Sequence, residues 1–139
     1  MGEICVKGNH VATKDSQEWF RTGDFGYQDE NGILFLTGRK GNEKVISGVQ
    51  HYLIEHLLLC TENIQQAAAI AKETKAAACF DIYIVTNVAT NTTVNCTKKE
   101  IQEILYQYFD KNIIGEIFFK ATLPTDHRHH SKILYQQLK

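Results

Sequence analysis

The sequence predicts an α+β fold: a small mixed sheet covered by helices, preceded by an N-terminal β-hairpin region. Three observations carry that expectation. A polar Asp29-Glu30-Asn31-Gly32 turn separates Phe25-Gly26-Tyr27 from the apolar run Ile33 to Leu36, and Asn and Gly tolerate the positive φ angles that hairpin turns require. Thr97-Lys98-Lys99-Glu100 has the Thr-x-x-Glu spacing of a capping box, after which Ile101, Ile104, Leu105, Tyr108 and Phe109 recur at helical intervals. Phe80 to Thr86, FDIYIVT, has the β-branched and aromatic composition of a buried strand.

Gly2 to Lys7 alternates loosely and ends at Gly8-Asn9, a short strand and a turn with no evident partner before Ile33. Val11 to Glu18 is polar, with a turn expected at Lys14-Asp15-Ser16. Trp19-Phe20 leads into a second expected turn, Thr22-Gly23-Asp24, before the hairpin, and the chain breaks again at Gly38-Arg39-Lys40-Gly41. Lys44-Val45-Ile46 reads as a short strand ended by Ser47-Gly48. From His51 to Cys60, the positions Leu53, Ile54, Leu57 and Leu58 form one face of a helix. Gln65 to Ala71 is Ala-rich and fits helix or strand. Asn87 to Cys96 is a polar loop, Gly115 to Phe119 a last strand, and Ile133 to Lys139 a short terminal helix. Strands grouped with helices in this order suit helices laid on one face of a small sheet.

The 139 residues match one ordinary domain or a piece of something larger. With 15 basic and 16 acidic residues the net charge is -1, so no overall field recruits nucleic acid or an anionic membrane. No apolar run approaches the ~20 residues needed to cross a bilayer, and Met-Gly-Glu-Ile-Cys lacks the pattern of a signal peptide. The four cysteines are widely spaced with no Cys-x-x-Cys pair. A cytoplasmic protein with reduced thiols is expected. The triplets Asn91-Thr92-Thr93 and Asn95-Cys96-Thr97 resemble glycosylation sequons, which carry meaning only on secretion.

Asp24 either caps a turn or presents a carboxylate to a diol such as a ribose. Arg39 is either a solvated surface arginine or a planar fork for sugar hydroxyls or phosphate. Gly41 suits a hinge or a plain turn. The tail Asp126-His127-Arg128-His129-His130-Ser131-Lys132 gathers three histidines. Metal binding and a solvated loop both fit such a cluster, but its adjacent cations oppose a divalent ion, so no metal site is assigned. A lysine there suits neutralising charge that develops on a carboxylate or phosphate during transfer. There is no Walker loop, no Gly-x-Gly-x-x-Gly and no convincing Ser-His-Asp or Cys-His nucleophile.

Taken in order, Gly2-Glu3-Ile4-Cys5-Val6-Lys7-Gly8, Trp19-Phe20-Arg21-Thr22-Gly23-Asp24 and Gly38-Arg39-Lys40 resemble the closing part of the adenylate-forming acyl-CoA synthetase (AMP-dependent synthetase/ligase) superfamily. The resemblance covers nearly the whole chain. It implies a two-step ligase: a carboxylate, a fatty acid or similar acyl compound, reacts with ATP to give an acyl-adenylate and pyrophosphate, and a thiol such as coenzyme A then takes the acyl group. ATP or AMP with Mg2+ would serve the intact enzyme. By match, Asp24 and Arg39 take the ribose-hydroxyl positions, Gly41 falls on the hinge, and Ser47-Gly48 matches the loop facing the active site during the thioester step. Tyr52 and Glu55 echo the family's Tyr-Pro-x-Glu, with Leu53 in place of proline, and Val45 stands where a lysine is often found. Leu123-Pro124 followed by Asp-x-Arg-His-x-x-Lys resembles a subgroup with fatty-acid ligases and β-lactone-forming synthetases, which makes Lys132 the adenylation lysine.

The same resemblance divides the chain at residue 39: residues 1–39 would end a large N-terminal domain with β strands and a hairpin from its barrel, and 40–139 would form a mobile C-terminal lid. The phosphate loop and acyl pocket would lie upstream, so the expected partner is the N-terminal domain of the same polypeptide, and the chain alone would be inactive. A stand-alone, non-catalytic α+β interaction or regulatory module is the competing expectation.

Overall fold

A computed structural model of the chain describes residues 1–11, 18–74, 76–87, 97–127 and 132–138. The Lys14-Asp15-Ser16 turn, residues 88–96 of the polar loop with Cys96 and both sequon-like asparagines, and Arg128, His129, His130 and Ser131 of the tail fall outside them. The chain forms two compact units, Met1–Glu43 and Lys44–Lys139.

The first unit is a three-stranded antiparallel sheet in the order β1-β2-β3, built from Gly2–Val6, Phe20–Gln28 and Leu34–Arg39. The hairpin forms where the turn residues predict it. Asp29 Oδ1 accepts from the Asn31 and Ile33 amides at 3.0 and 2.8 Å, so one carboxylate organises the turn. Tyr27 and Phe35, cross-strand partners, stack with ring centroids 5.2 Å apart.

Two expectations about this unit are corrected. The N-terminal strand does have a partner before Ile33, because β1 pairs antiparallel with β2. Thr22-Gly23-Asp24 does not turn the chain either: it lies inside β2 as a bulge. Glu3 pairs with Phe25 and Cys5 with Arg21, so three residues of β2 oppose the single Ile4. Some bulges and some turns draw on the same residues, because both can place a glycine at positive φ, here +78° at Gly23.

In the second unit, β4 (Val45–Ile46) and β5 (Val49–Gln50) form a two-residue hairpin that runs directly into α1 (His51–Leu59). Ser47 and Gly48 carry φ of +50° and +79°, the paired positive angles that a tight primed turn requires. A second three-stranded sheet follows, β6 (Ile64–Glu73), β7 (Ala78–Thr86) and β8 (Ile114–Phe119), with α2 (Lys98–Tyr108) between β7 and β8. β6 and β7 are antiparallel and β7 and β8 parallel, so the sheet is mixed and the class is α+β. The Ala-rich segment is strand, paired with β7 along its length. Alanine has no branched or aromatic side chain to declare itself, and the pairing decides.

Alternation along the strands sorts the core into two layers. Ala67 and Ala69 of β6 and Phe80, Ile82 and Ile84 of β7 face Ile54 and Leu58 of α1 and Ile101 and Leu105 of α2. Each fully buried Ile or Leu contributes about 1.5–3 kcal/mol of transfer free energy. On the other face Ala68 and Val85 meet Leu123, with Tyr83, Ile133, Tyr135 and Leu138 alongside. Helix α2 starts where predicted: Thr97 Oγ1 accepts from Glu100 N, and the Glu100 carboxylate accepts from Thr97 N at 2.7 Å. The terminal helix expected over 133–139 is replaced by a bridge from Ile133 to Thr125 and one 3-10 turn, Tyr135–Gln137. Packing of Ile133, Tyr135 and Leu138 against the sheet outweighs the weak propensity of so short a segment. Among the described residues no helix is long and apolar enough to cross a membrane.

Candidate functional site

Asp24 and Arg39 are direct cross-strand partners on β2 and β3. Arg39 Nε lies 3.2 Å from Asp24 Oδ1, and both side chains are a little over one third exposed. The bulge sets where Asp24 stands, and its backbone is held from three directions. Gly23 N donates to Glu3 Oε1 at 3.2 Å, Thr22 Oγ1 donates to Ile4 O at 2.8 Å, and Asp24 N donates to Thr22 Oγ1 at 3.1 Å. Lys40 N closes the strand end by donating to Gly23 O at 2.8 Å. The Glu3 carboxylate also takes two hydrogen bonds from Arg21, which hold its carboxyl below the usual range and push the Arg21 guanidinium up. Such a pair offers an acceptor and a fork of donors side by side at a strand end, the complement of a vicinal diol.

Gly41, with φ of +92°, lies two residues past Arg39, and its amide donates to the Glu43 carboxylate. Ser47 and Gly48 form the exposed tip of the β4–β5 hairpin.

Lys132 is exposed at the base of the tail loop. Its amide donates to Asp126 Oδ1 at 3.1 Å and its carbonyl accepts from Asp126 N at 2.9 Å; beyond it, Leu134 N donates to Pro124 O at 2.9 Å. Residues 124–126 and 132–134 are therefore joined as a short antiparallel pair. Three residues further on, the Tyr135 hydroxyl donates to Glu55 Oε2 at 3.0 Å. Glu55 is buried at the middle of α1, and its other oxygen accepts from the Ala69 amide of the edge strand β6 at 2.9 Å. His51 Nδ1 stands 3.1 Å from that same oxygen, although not aligned for a hydrogen bond. Glu55 thus joins helix, sheet edge and tail, a role its match to the family motif did not specify. Glu3, Asp126 and Tyr135 went unassigned by sequence reasoning. For Glu3 and Asp126 the available signal was their place inside the strings Gly2–Gly8 and Asp126–Lys132; Tyr135 lies outside both and carried none.

Among the described residues, no cluster of three or more His, Cys, Asp or Glu could hold a metal ion.

No family model matches the chain. It is 27% identical over 153 residues to 4-coumarate–CoA ligase 3 of Arabidopsis thaliana, an alignment with 99% of this chain and 26% of the relative. It is 38% identical over 85 residues to 2-succinylbenzoate–CoA ligase of Listeria monocytogenes serotype 4b, with 51% of this chain and 18% of the relative. Among solved structures, o-succinylbenzoate CoA synthetase of Bacillus subtilis in complex with its acyl-adenylate intermediate aligns over 99% of this chain and 30% of that one, with a TM-score of 0.69 and 25% identity. The chain is related to the C-terminal part of the adenylate-forming CoA ligases. It spans between about one sixth and one third of the length of these CoA ligases.

Proposed function

We propose that this chain is the closing portion of an ATP-dependent carboxylate ligase that makes an acyl-adenylate and passes the acyl group to a thiol such as coenzyme A. The observation that carries the reading is the Asp24–Arg39 pair. Two complementary polar groups, held side by side by a bulge and left reachable from solvent, occur in a chain whose relatives are CoA ligases. Bonded to ribose hydroxyls, Asp24 accepts and Arg39 donates, which orients the nucleotide without taking part in bond making.

In adenylation a carboxylate oxygen of the acid attacks the α-phosphorus of ATP, the α–β phosphoanhydride bond breaks and pyrophosphate leaves with the electron pair. Lys132 supplies an ammonium against the negative charge that builds on the reacting phosphate, a gain realised in the transition state. Residues 1–39 end the nucleotide-holding domain, residues 40–139 are the lid, and Gly41 is the pivot between them. Ser47 and Gly48 line the path of the thiol in the second step. Mg2+ would accompany the ATP phosphates, and no residue of this chain is assigned to hold it. The acid is a fatty acid or similar acyl compound, the partner is the N-terminal domain of the same polypeptide, and the location is cytoplasmic; without that domain the chain is inactive.

The test is pyrophosphate release by the full-length gene product, given ATP and a panel of aliphatic and aryl carboxylates. Release with at least one acid is expected, and Lys132→Ala should lower it by on the order of 100-fold or more while ATP binding persists. Undiminished ATP–pyrophosphate exchange in that variant would remove Lys132 from the reaction. Absence of release with every acid would favour a non-catalytic interaction or regulatory module.

A further inference from the structure

The loop that carries Lys132 has a lock of its own. Asp126 and Lys132 face each other across it, and Asp126 binds Lys132 twice: its amide donates to the Lys132 carbonyl at 2.9 Å, and its carboxylate Oδ1 accepts from the Lys132 amide at 3.1 Å. A regular antiparallel pair would take the second bond from a backbone carbonyl; here a side chain supplies it. A hydrogen bond to a charged acceptor is stronger and more directional than a neutral one. Both flanks of the loop are fixed independently. Upstream, Leu123 N donates to Gln66 Oε1 at 3.2 Å, and Leu123 is buried at 4% exposure. Downstream, Ile133 bridges to Thr125 and the Tyr135 hydroxyl is held by Glu55. Asp126 therefore connects the exposed lysine's own backbone to a frame bonded to β6 on one side and α1 on the other.

We propose that Asp126 is a positioning residue that sets the Lys132 backbone so that its ammonium reaches the charge developing in adenylation. This rests on the assignment of Lys132 to that step. Lysine has four rotatable side-chain bonds, so an ammonium anchored to a loose loop is spread over many positions, and only a fixed Cα leaves a small set to search. A displacement near 1 Å at a catalytic group can lower a rate about 100-fold. Because the group acts on the transition state rather than on bound substrate, the loss belongs in kcat and leaves the KM values for ATP and acid in place.

The test compares Asp126→Ala, Asp126→Asn and Lys132→Ala in the full-length gene product by ATP–pyrophosphate exchange, and measures hydrogen exchange at the Lys132 amide. Asp126→Ala should lower kcat on the order of 10- to 100-fold with KM values unchanged, and the Lys132 amide should exchange faster. Asp126→Asn retains an oxygen acceptor at the same reach and should stay within about threefold of the parent. Two results overturn the proposal while leaving Lys132 in place: full activity in Asp126→Ala when Lys132→Ala is inactive, or a fall in Asp126→Ala that Asp126→Asn shares or that appears equally in KM. Full activity in Lys132→Ala overturns the underlying assignment, and this proposal with it.

Discussion

Gly115→Ala should destabilise the second unit by about 2–3 kcal/mol, for reasons confined to three atoms. β7 and β8 slip register between Phe80↔Ile114 and Ile82↔Ile117, so Gly115 and Glu116 together oppose Asp81. The bulge takes the Glu116 amide out of the ladder, and Asp81 Oδ1 recovers it at 3.0 Å while Oδ2 pairs with Lys72 Nζ at 3.0 Å. A Cβ on residue 115 would stand 2.4 Å from Asp81 Oδ1, 3.0 Å from Cys79 Sγ and 3.1 Å from the Phe80 carbonyl oxygen. The carboxylate must retreat by more than half an ångström, which breaks its bond to Glu116 N. A hydrogen bond to a charged group is worth about 1.5–3 kcal/mol, and the Phe80 carbonyl, being backbone, cannot yield to absorb the remainder. The assay is urea unfolding followed by far-UV circular dichroism, because α1 and α2 both belong to Lys44–Lys139. Asp81→Ala supplies the decisive comparison: with the carboxylate gone, Gly115→Ala should cost at least about 1.5 kcal/mol less than it does in the parent. Equal costs in the two backgrounds would show that the contact with Asp81 is not the cause.

Glu3→Gln should change the acid response of the first unit. The Arg21 hydrogen bond lowers the folded-state pKa of Glu3 below its ordinary 4.5, so the stabilisation is present above pH 4.5 and lost as pH falls through the lower folded value. Urea midpoints read from Trp19 fluorescence should therefore drop more steeply below pH 4.5 in the parent than in Glu3→Gln. Gly48→Ala should cost about 1–2 kcal/mol in urea unfolding followed by far-UV circular dichroism, and the cost is purely conformational, since no atom lies within 4 Å of the added Cβ while φ is +79°. Thr97→Ala removes the cap of α2 and should cost about 1 kcal/mol; a change within error would mean that the capping box adds nothing to packing.

What was legible in the sequence is what is decided within a few residues. The Asp29–Gly32 turn, the Thr97–Glu100 box and the β-branched run of β7 each carry their own cause, and each element stands where its residues put it. The failures lie where a distant partner decides. Nothing near Gly2–Val6 announces that it pairs with Phe20–Gln28, and nothing in Ile133–Lys139 announces that Tyr135 will be drawn to Glu55, 80 residues earlier. The candidate site divides the same way. Asp24 and Arg39 could be named from the family resemblance, but their juxtaposition is a matter of register, and the bulge that tunes it depends on Glu3.

The acidic residues show why composition underdescribes the chain. Sixteen Asp and Glu against fifteen basic residues read as a balanced, solvated surface. Yet at several places where the backbone leaves a regular ladder, a carboxylate takes up an amide: Glu3 at Gly23, Asp29 at Asn31 and Ile33, Asp81 at Glu116, Asp110 at Asn112, Asp126 at Lys132, and Glu55 at Ala69 on the sheet edge. A buried amide without a partner costs about 1–3 kcal/mol, which bears most on Ala69, while water would serve the exposed amides. Acidic side chains supply those acceptors, which lets the strands carry bulges and lets Asp126 pair with Lys132. Two of these irregularities, at Gly23 and Lys132, are also the places that hold the candidate nucleotide pair and the candidate adenylation lysine. Truncation of Glu3 or Asp126 to alanine, which removes the accepting oxygens, should thus disturb site geometry before it disturbs the core, because the buried clusters around Phe80 and Leu58 make no use of either carboxylate.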